Sequence, residues 1–116
     1  MSPDAVEVGS EAELDRRGRL VARLSEPPVD VLVVRTRRRV FAVENRCPHL
    51  GSALDGGDVR GRVITCAAHG RRFDLRSGRW LAGPGRSAQP LVTMRAWVDG
   101  GKVWVAAPRT RPADAA

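Results

Sequence analysis

Two short segments, Cys47-Pro48-His49-Leu50-Gly51 and Cys66-Ala67-Ala68-His69-Gly70, hold both cysteines and both histidines of the chain. Each pairs a thiol with an imidazole two or three positions later, so together they offer two sulfur and two nitrogen donors to one metal centre. Soft thiolates suit iron-sulfur chemistry or zinc, and neutral imidazole suits borderline, more oxidised iron. A single disulfide is the other use of two cysteines. Their placement just before histidines favours a metal site in a reducing compartment instead.

Something must bring these segments together. After Ser10-Glu11-Ala12-Glu13, a Ser-x-x-Glu helix start, a short helical turn is expected through Arg16, ending at Gly18. Beyond it come brief apolar runs rich in β-branched residues, which read as strands: Leu20 to Leu24, Val29 to Arg35, Val40 to Glu44, Val63 to Thr65, Leu91 to Val98 and Lys102 to Ala106. Turns are expected at Pro27-Pro28, Arg37 to Arg39, Gly56-Gly57, Ser77-Gly78 and Asp99-Gly100-Gly101, the last as a hairpin. The period-2 alternation through Val92, Met94, Ala96 and Val98, and through Val103 and Val105, predicts one buried face on that hairpin. Each Cys/His segment follows a predicted strand, Val40 to Glu44 or Val63 to Thr65. Both can therefore sit on loops at the same end of a sheet, and the fold class is all-β.

The 116 residues are of one-domain size, with a core resting on Val, Leu, Ile and Ala. The formal charge of +7 raises nucleic-acid binding as a class. Arginine is spread along the chain and aromatics are few, so a solvated basic surface is the simpler reading, and no nucleic-acid partner is expected. The N-terminal stretch carries Asp4 and Glu7 where a signal peptide would be basic and then apolar. Purely apolar runs such as Val31 to Val34 fall far short of the roughly 18 residues of a membrane helix. A cytoplasmic protein without a membrane partner is expected. From Pro108 onward apolar residues are too sparse to fold, so residues 1–107 are expected to form one domain and 108–116 a disordered tail.

The spacing Cys47-x-His49, sixteen residues from Leu50 to Thr65, then Cys66-x-x-His69 resembles the signature of Rieske proteins. The similarity runs from about Leu20 to Ala106 and includes Phe73-Asp74-Leu75, Ser77-Gly78 and Gly83-Pro84-Gly85, which matches a third loop over the cluster. The resemblance implies an antiparallel β-sandwich with a small cluster-binding subdomain of two loops, holding one 2Fe-2S cluster. Cys47 and Cys66 would bind the inner iron, and His49 and His69 the outer iron. A structural zinc site is the competing metal reading, but zinc fingers usually present a cysteine pair and then a histidine pair, and here the types alternate. Gly51 and Gly70 would allow tight turns, and Pro84 would shield the cluster, the alternative being that Gly83-Pro84-Gly85 is only a surface turn. Phe73 and Trp80, Trp97 and Trp104 read as packing residues, Asp74 as a turn or ion-pair residue. Arg46, Arg71 and Arg72 flank the ligands, either as solvated surface or as charges that raise the potential or steer an acidic partner.

Rieske proteins of quinol-oxidising complexes have a further cysteine in each loop, where this chain has Ser52 and Ala68, and hydroxyl donors where it has Arg71 and Phe73. Ala67 also replaces a proline common in the second loop. The resemblance is therefore to the low-potential branch. Its leading implication is a ferredoxin, not itself an enzyme, carrying single electrons from a flavin-dependent reductase to the terminal oxygenase of an aromatic-ring dioxygenase. The small subunit of an assimilatory nitrite reductase is the alternative.

Overall fold

The computed structural model describes residues 5–25, 28–48, 51–84 and 89–106. His49, Gly85, the end of the expected domain at residue 107 and the expected tail 108–116 lie outside them.

The chain runs β1 (Ala5–Ser10), α1 (Glu11–Arg17), β2 (Arg19–Ser25), β3 (Pro28–Thr36), β4 (Arg39–Glu44), β5 (Asp58–Arg60), β6 (Val63–Thr65), β7 (Arg72–Asp74), β8 (Trp80–Ala82), β9 (Thr93–Met94), β10 (Ala96–Asp99) and β11 (Lys102–Ala106). These strands make three antiparallel sheets, β1-β11-β10, β2-β3-β4-β9 and β5-β6-β7-β8.

The β2-β3-β4-β9 sheet is the middle layer, and β3 shows why. Its run Val31-Leu32-Val33-Val34 is buried throughout, and a continuous apolar run is what a strand covered on both faces needs. Successive side chains point to opposite faces. Val31 and Val33, with Ala42 of β4, join Leu14, Leu20, Leu24, Val103 and Val105 in one core, beneath the β1-β11-β10 sheet. Leu32 and Val34, with Phe41 and Val43, join Leu54, Ile64, Phe73, Leu75, Leu91 and both cysteines in the other, beneath the four short strands.

The expected helix forms. Ser10 Oγ accepts from the Glu13 N–H at 3.0 Å, and Gly18, at φ 80°, donates its N–H to the Leu14 carbonyl, which closes both ends. Leu14, fully buried, plugs one core from this short helix. Arg35 Nη1 reaches Glu11 and Asp15 at 2.8 and 3.1 Å, and chiefly the hydrogen bond it donates to the Glu11 carboxylate raises the guanidinium pKa.

Two features depart from the sequence expectation. Leu91 to Val98 is not one strand: the ladder breaks at Arg95, so that β9 pairs with β4 and β10 with β11. The period-2 alternation survives the break, and Met94, Ala96 and Val98 all pack against the same core. β1, β5, β7 and β8 were not expected. Three of them are three residues long, too short to show a period, and β1 carries Glu7 and is held by its pairing with β11. The hairpin at Asp99 forms as expected, with positive φ at Gly100 and Gly101 and Asp99 opposite Lys102.

Candidate metal centre

The two Cys/His segments fold into loops of the same form. In the first, which follows β4, the Cys47 N–H donates to the Ser52 carbonyl at 2.7 Å and the Gly51 N–H to the Cys47 carbonyl at 2.8 Å. In the second, which follows β6, the Cys66 N–H donates to the Arg71 carbonyl at 2.7 Å and the Gly70 N–H to the Cys66 carbonyl at 2.8 Å. Each loop thus begins at a cysteine and closes on itself five residues later. Gly51 and Gly70 stand at equivalent places with φ of 77° and 70°, a left-handed conformation that side chains other than glycine adopt at a cost.

Both cysteines are 1% exposed, sit in the same core, and are not joined in a disulfide. His69 is exposed on the outer part of its loop. His49 lies outside the described residues, and among those described no three His, Cys, Asp or Glu side chains converge tightly enough to hold a metal ion. The donor set nevertheless suits a two-iron cluster: two soft sulfur donors lie inside, on loops of matching form, with an imidazole on the outer side of one of them.

The loops are braced by residues that the motif reading overlooked. Asn45, between β4 and the first loop, accepts the Leu54 N–H at 2.8 Å through Oδ1 and donates to Asp55 Oδ1 at 3.1 Å. From β2, Arg19 Nη1 donates to the carbonyls of Asp55 and Gly57 at 2.6 and 2.8 Å. An amide immediately after a strand and before a donor-bearing loop was the available signal for Asn45; Arg19 has no local one. Asp74 does both things expected of it, as Oδ1 accepts the N–H groups of Arg76 and Ser77 and Oδ2 pairs with Arg62 at 3.1 Å. Phe73 is core, and the three tryptophans are half-buried.

The flanking arginines differ sharply. Arg46 is exposed, with its guanidinium over Gly51, where an added Cβ would lie 3.3 Å from Nε. Arg72 is also exposed, whereas Arg71 is 2% exposed, the one buried charged residue among those described. Gly83 and Pro84, expected to form the third loop, are exposed, and Gly83 packs on the backbone of Arg71.

The Rieske [2Fe-2S] domain family matches residues 4–97 of this chain. The ferredoxin component of the biphenyl 2,3-dioxygenase of Rhodococcus jostii is 31% identical over 72% of this chain and 76% of its own. The ferredoxin component of the naphthalene 1,2-dioxygenase system of Pseudomonas aeruginosa is 32% identical over 57% of this chain and 62%, less than two thirds, of its own length. Among solved structures, the ferredoxin of carbazole 1,9a-dioxygenase from Nocardioides aromaticivorans superposes with a TM-score of 0.77 at 30% identity, covering 88% of this chain and 96% of that one.

Proposed function

We propose, from the premise that the chain belongs to the Rieske [2Fe-2S] domain family, that it is a one-electron carrier of a multicomponent oxygenase system and not an enzyme by itself. The observation that carries this reading is the pair of matching loops, each presenting a buried cysteine, with a histidine on the solvent side of the second. Cys47, His49, Cys66 and His69 are the proposed ligands. When bound, the cluster they hold takes up and releases one electron.

The chain's own residues then have distinct tasks. Leu54, Ile64, Phe73, Leu75 and Leu91 exclude water from the cysteine side. Asn45 and Arg19 fix the segment that follows the first loop, through side-chain hydrogen bonds to its main chain. The exposed His69 offers an imidazole edge where a partner can approach, so electrons enter and leave on the histidine side.

The proposed partners are a flavin-dependent reductase as donor and the terminal oxygenase of an aromatic-ring dioxygenase as acceptor. The relatives that are ferredoxin components of such systems support this. No helix among the described residues is long and apolar enough to cross a membrane, and a cytoplasmic location suits two cysteines kept reduced.

Anaerobically purified protein should contain about two irons and two acid-labile sulfides per chain, with the rhombic electron-spin signal of a mixed His/Cys cluster after reduction. Cys47→Ser or Cys66→Ser should abolish the cluster, whereas His69→Cys should retain an altered one without that signal. Stoichiometric zinc without sulfide would sink the metal assignment. Co-purification with a nitrite reductase large subunit would move the chain to the alternative function.

A further inference from the structure

Among the described residues, three buried side-chain polar atoms lack a hydrogen-bond partner: Nε and Nη1 of Arg71 and Nε1 of Trp80. The indole is neutral and loses one hydrogen bond. The guanidinium carries a full positive charge with two donors unanswered, and such a charge is strongly unfavourable in a protein interior unless an anion takes its donors. The ion pairs among the described residues leave Arg71 out.

The side chain is not placed there by chance of a mobile surface. Its carbonyl accepts the Cys66 N–H and closes the second loop, so its Cα is fixed relative to Cys66. On the other side Gly83 lies flat against it: a Cβ at Gly83 would come 2.7 Å from Arg71 Cα and 3.2 Å from Cγ. Arg71 is thus clamped between the second loop and the segment that follows β8.

We infer that Arg71 is a positioning and tuning residue of the metal centre, its guanidinium held in the interior as the fixed counter-charge of a cluster that becomes more negative on reduction. This rests on the proposed ligand set. With two thiolates, two sulfides and neutral imidazoles, a cluster of this type is neutral overall when oxidised and carries one negative charge when reduced. A nearby buried cation therefore stabilises the reduced form selectively, and little solvent screens it. The sulfur atoms are also acceptors for the N–H groups of Nε and Nη1.

The test is the midpoint potential of the cluster-loaded protein in Arg71→Met, Arg71→Gln and Arg71→Lys, with iron and sulfide measured on each and Arg46→Gln as the exposed comparison. The two neutral variants should bind the electron at least tenfold less well, a fall of 59 mV or more for a one-electron couple, and this difference should persist at high salt. Arg71→Lys should stay within about threefold of wild type, because it keeps the charge. Arg46→Gln should have a smaller effect that disappears as salt is raised. A wild-type potential in either neutral variant, or a fall in Arg71→Lys as large as in Arg71→Met, overturns the inference. Loss of the cluster from all three variants would make Arg71 a packing residue and overturn it as well. Zinc without sulfide in the wild-type protein would instead defeat the underlying metal assignment.

Discussion

At the scale of single residues, the second loop carries substitutions that pull the potential in opposite directions. The quinol-oxidising Rieske proteins place hydroxyl donors where this chain has Arg71 and Phe73. A fully buried phenyl ring gives the cluster no hydrogen bond, and fewer donors to sulfur disfavour the extra electron. The buried guanidinium acts the other way. The wild-type midpoint should therefore lie toward the low end of the Rieske range, nearer about −150 mV than about +300 mV, and above the value of the Arg71→Met variant. Phe73→Tyr should raise it further where the new hydroxyl reaches sulfur. Protein-film voltammetry at neutral pH reads both, and a wild-type midpoint well above zero would reopen the quinol-oxidising assignment.

Elements matter here through how they meet. Gly83, just after β8, has φ of 121° and no room for a Cβ beside the Arg71 backbone. Gly61, in the turn between β5 and β6, has φ of 60° and open space around it. The contrast separates contact from conformation: Gly83→Ala should cost about 3 kcal/mol, and Gly61→Ala about 1 kcal/mol. Chemical denaturation of the loaded protein measures both. Since Gly83→Ala must also displace Arg71, it should shift the midpoint potential, which Gly61→Ala should leave alone. Equal losses in the two variants would mean that the close approach at Gly83 has no energetic consequence.

Across the whole molecule, the formal charge of +7 is unevenly answered. Arg23, Arg35, Arg60, Arg62 and Lys102 have carboxylate partners. Arg39, Arg76 and Arg95 line a shallow groove whose walls include no carboxylate, at the start of β4, whereas the first loop follows its end. Arg46 stands beside the loop itself. A positive field steers encounter with an acidic redox partner, and salt shortens its reach to about 8 Å at physiological strength. Electron transfer should slow as ionic strength rises, and Arg46→Gln should flatten that dependence more than Arg95→Gln. Stopped-flow reduction over a salt series decides it; a rate indifferent to salt would indicate apolar docking around the histidine edge.

Much of this could be read along the chain because its causes are local. The Cys/His spacing is a property of consecutive residues. So are the helix start at Ser10 and the Asp99-Gly100-Gly101 hairpin. The unbroken apolar run of β3 announced a strand, since strand period and burial leave their trace within a few residues. The break at Arg95 left none, because the alternation of Met94, Ala96 and Val98 stays in phase while the strand changes partners from β4 to β11. The three-residue strands β5, β7 and β8 are defined by their neighbours, not by propensity. Arg71 is the sharpest case. In the sequence it is one arginine of many beside a ligand segment, as open to water as Arg72. Its burial depends on Gly83, twelve positions on, folding back over it. The sequence by itself determined which atoms are available to bind a metal, through residue type and spacing; only the tertiary structure decided which charge is sealed in beside them, because burial is set by segments that meet in space and not along the chain.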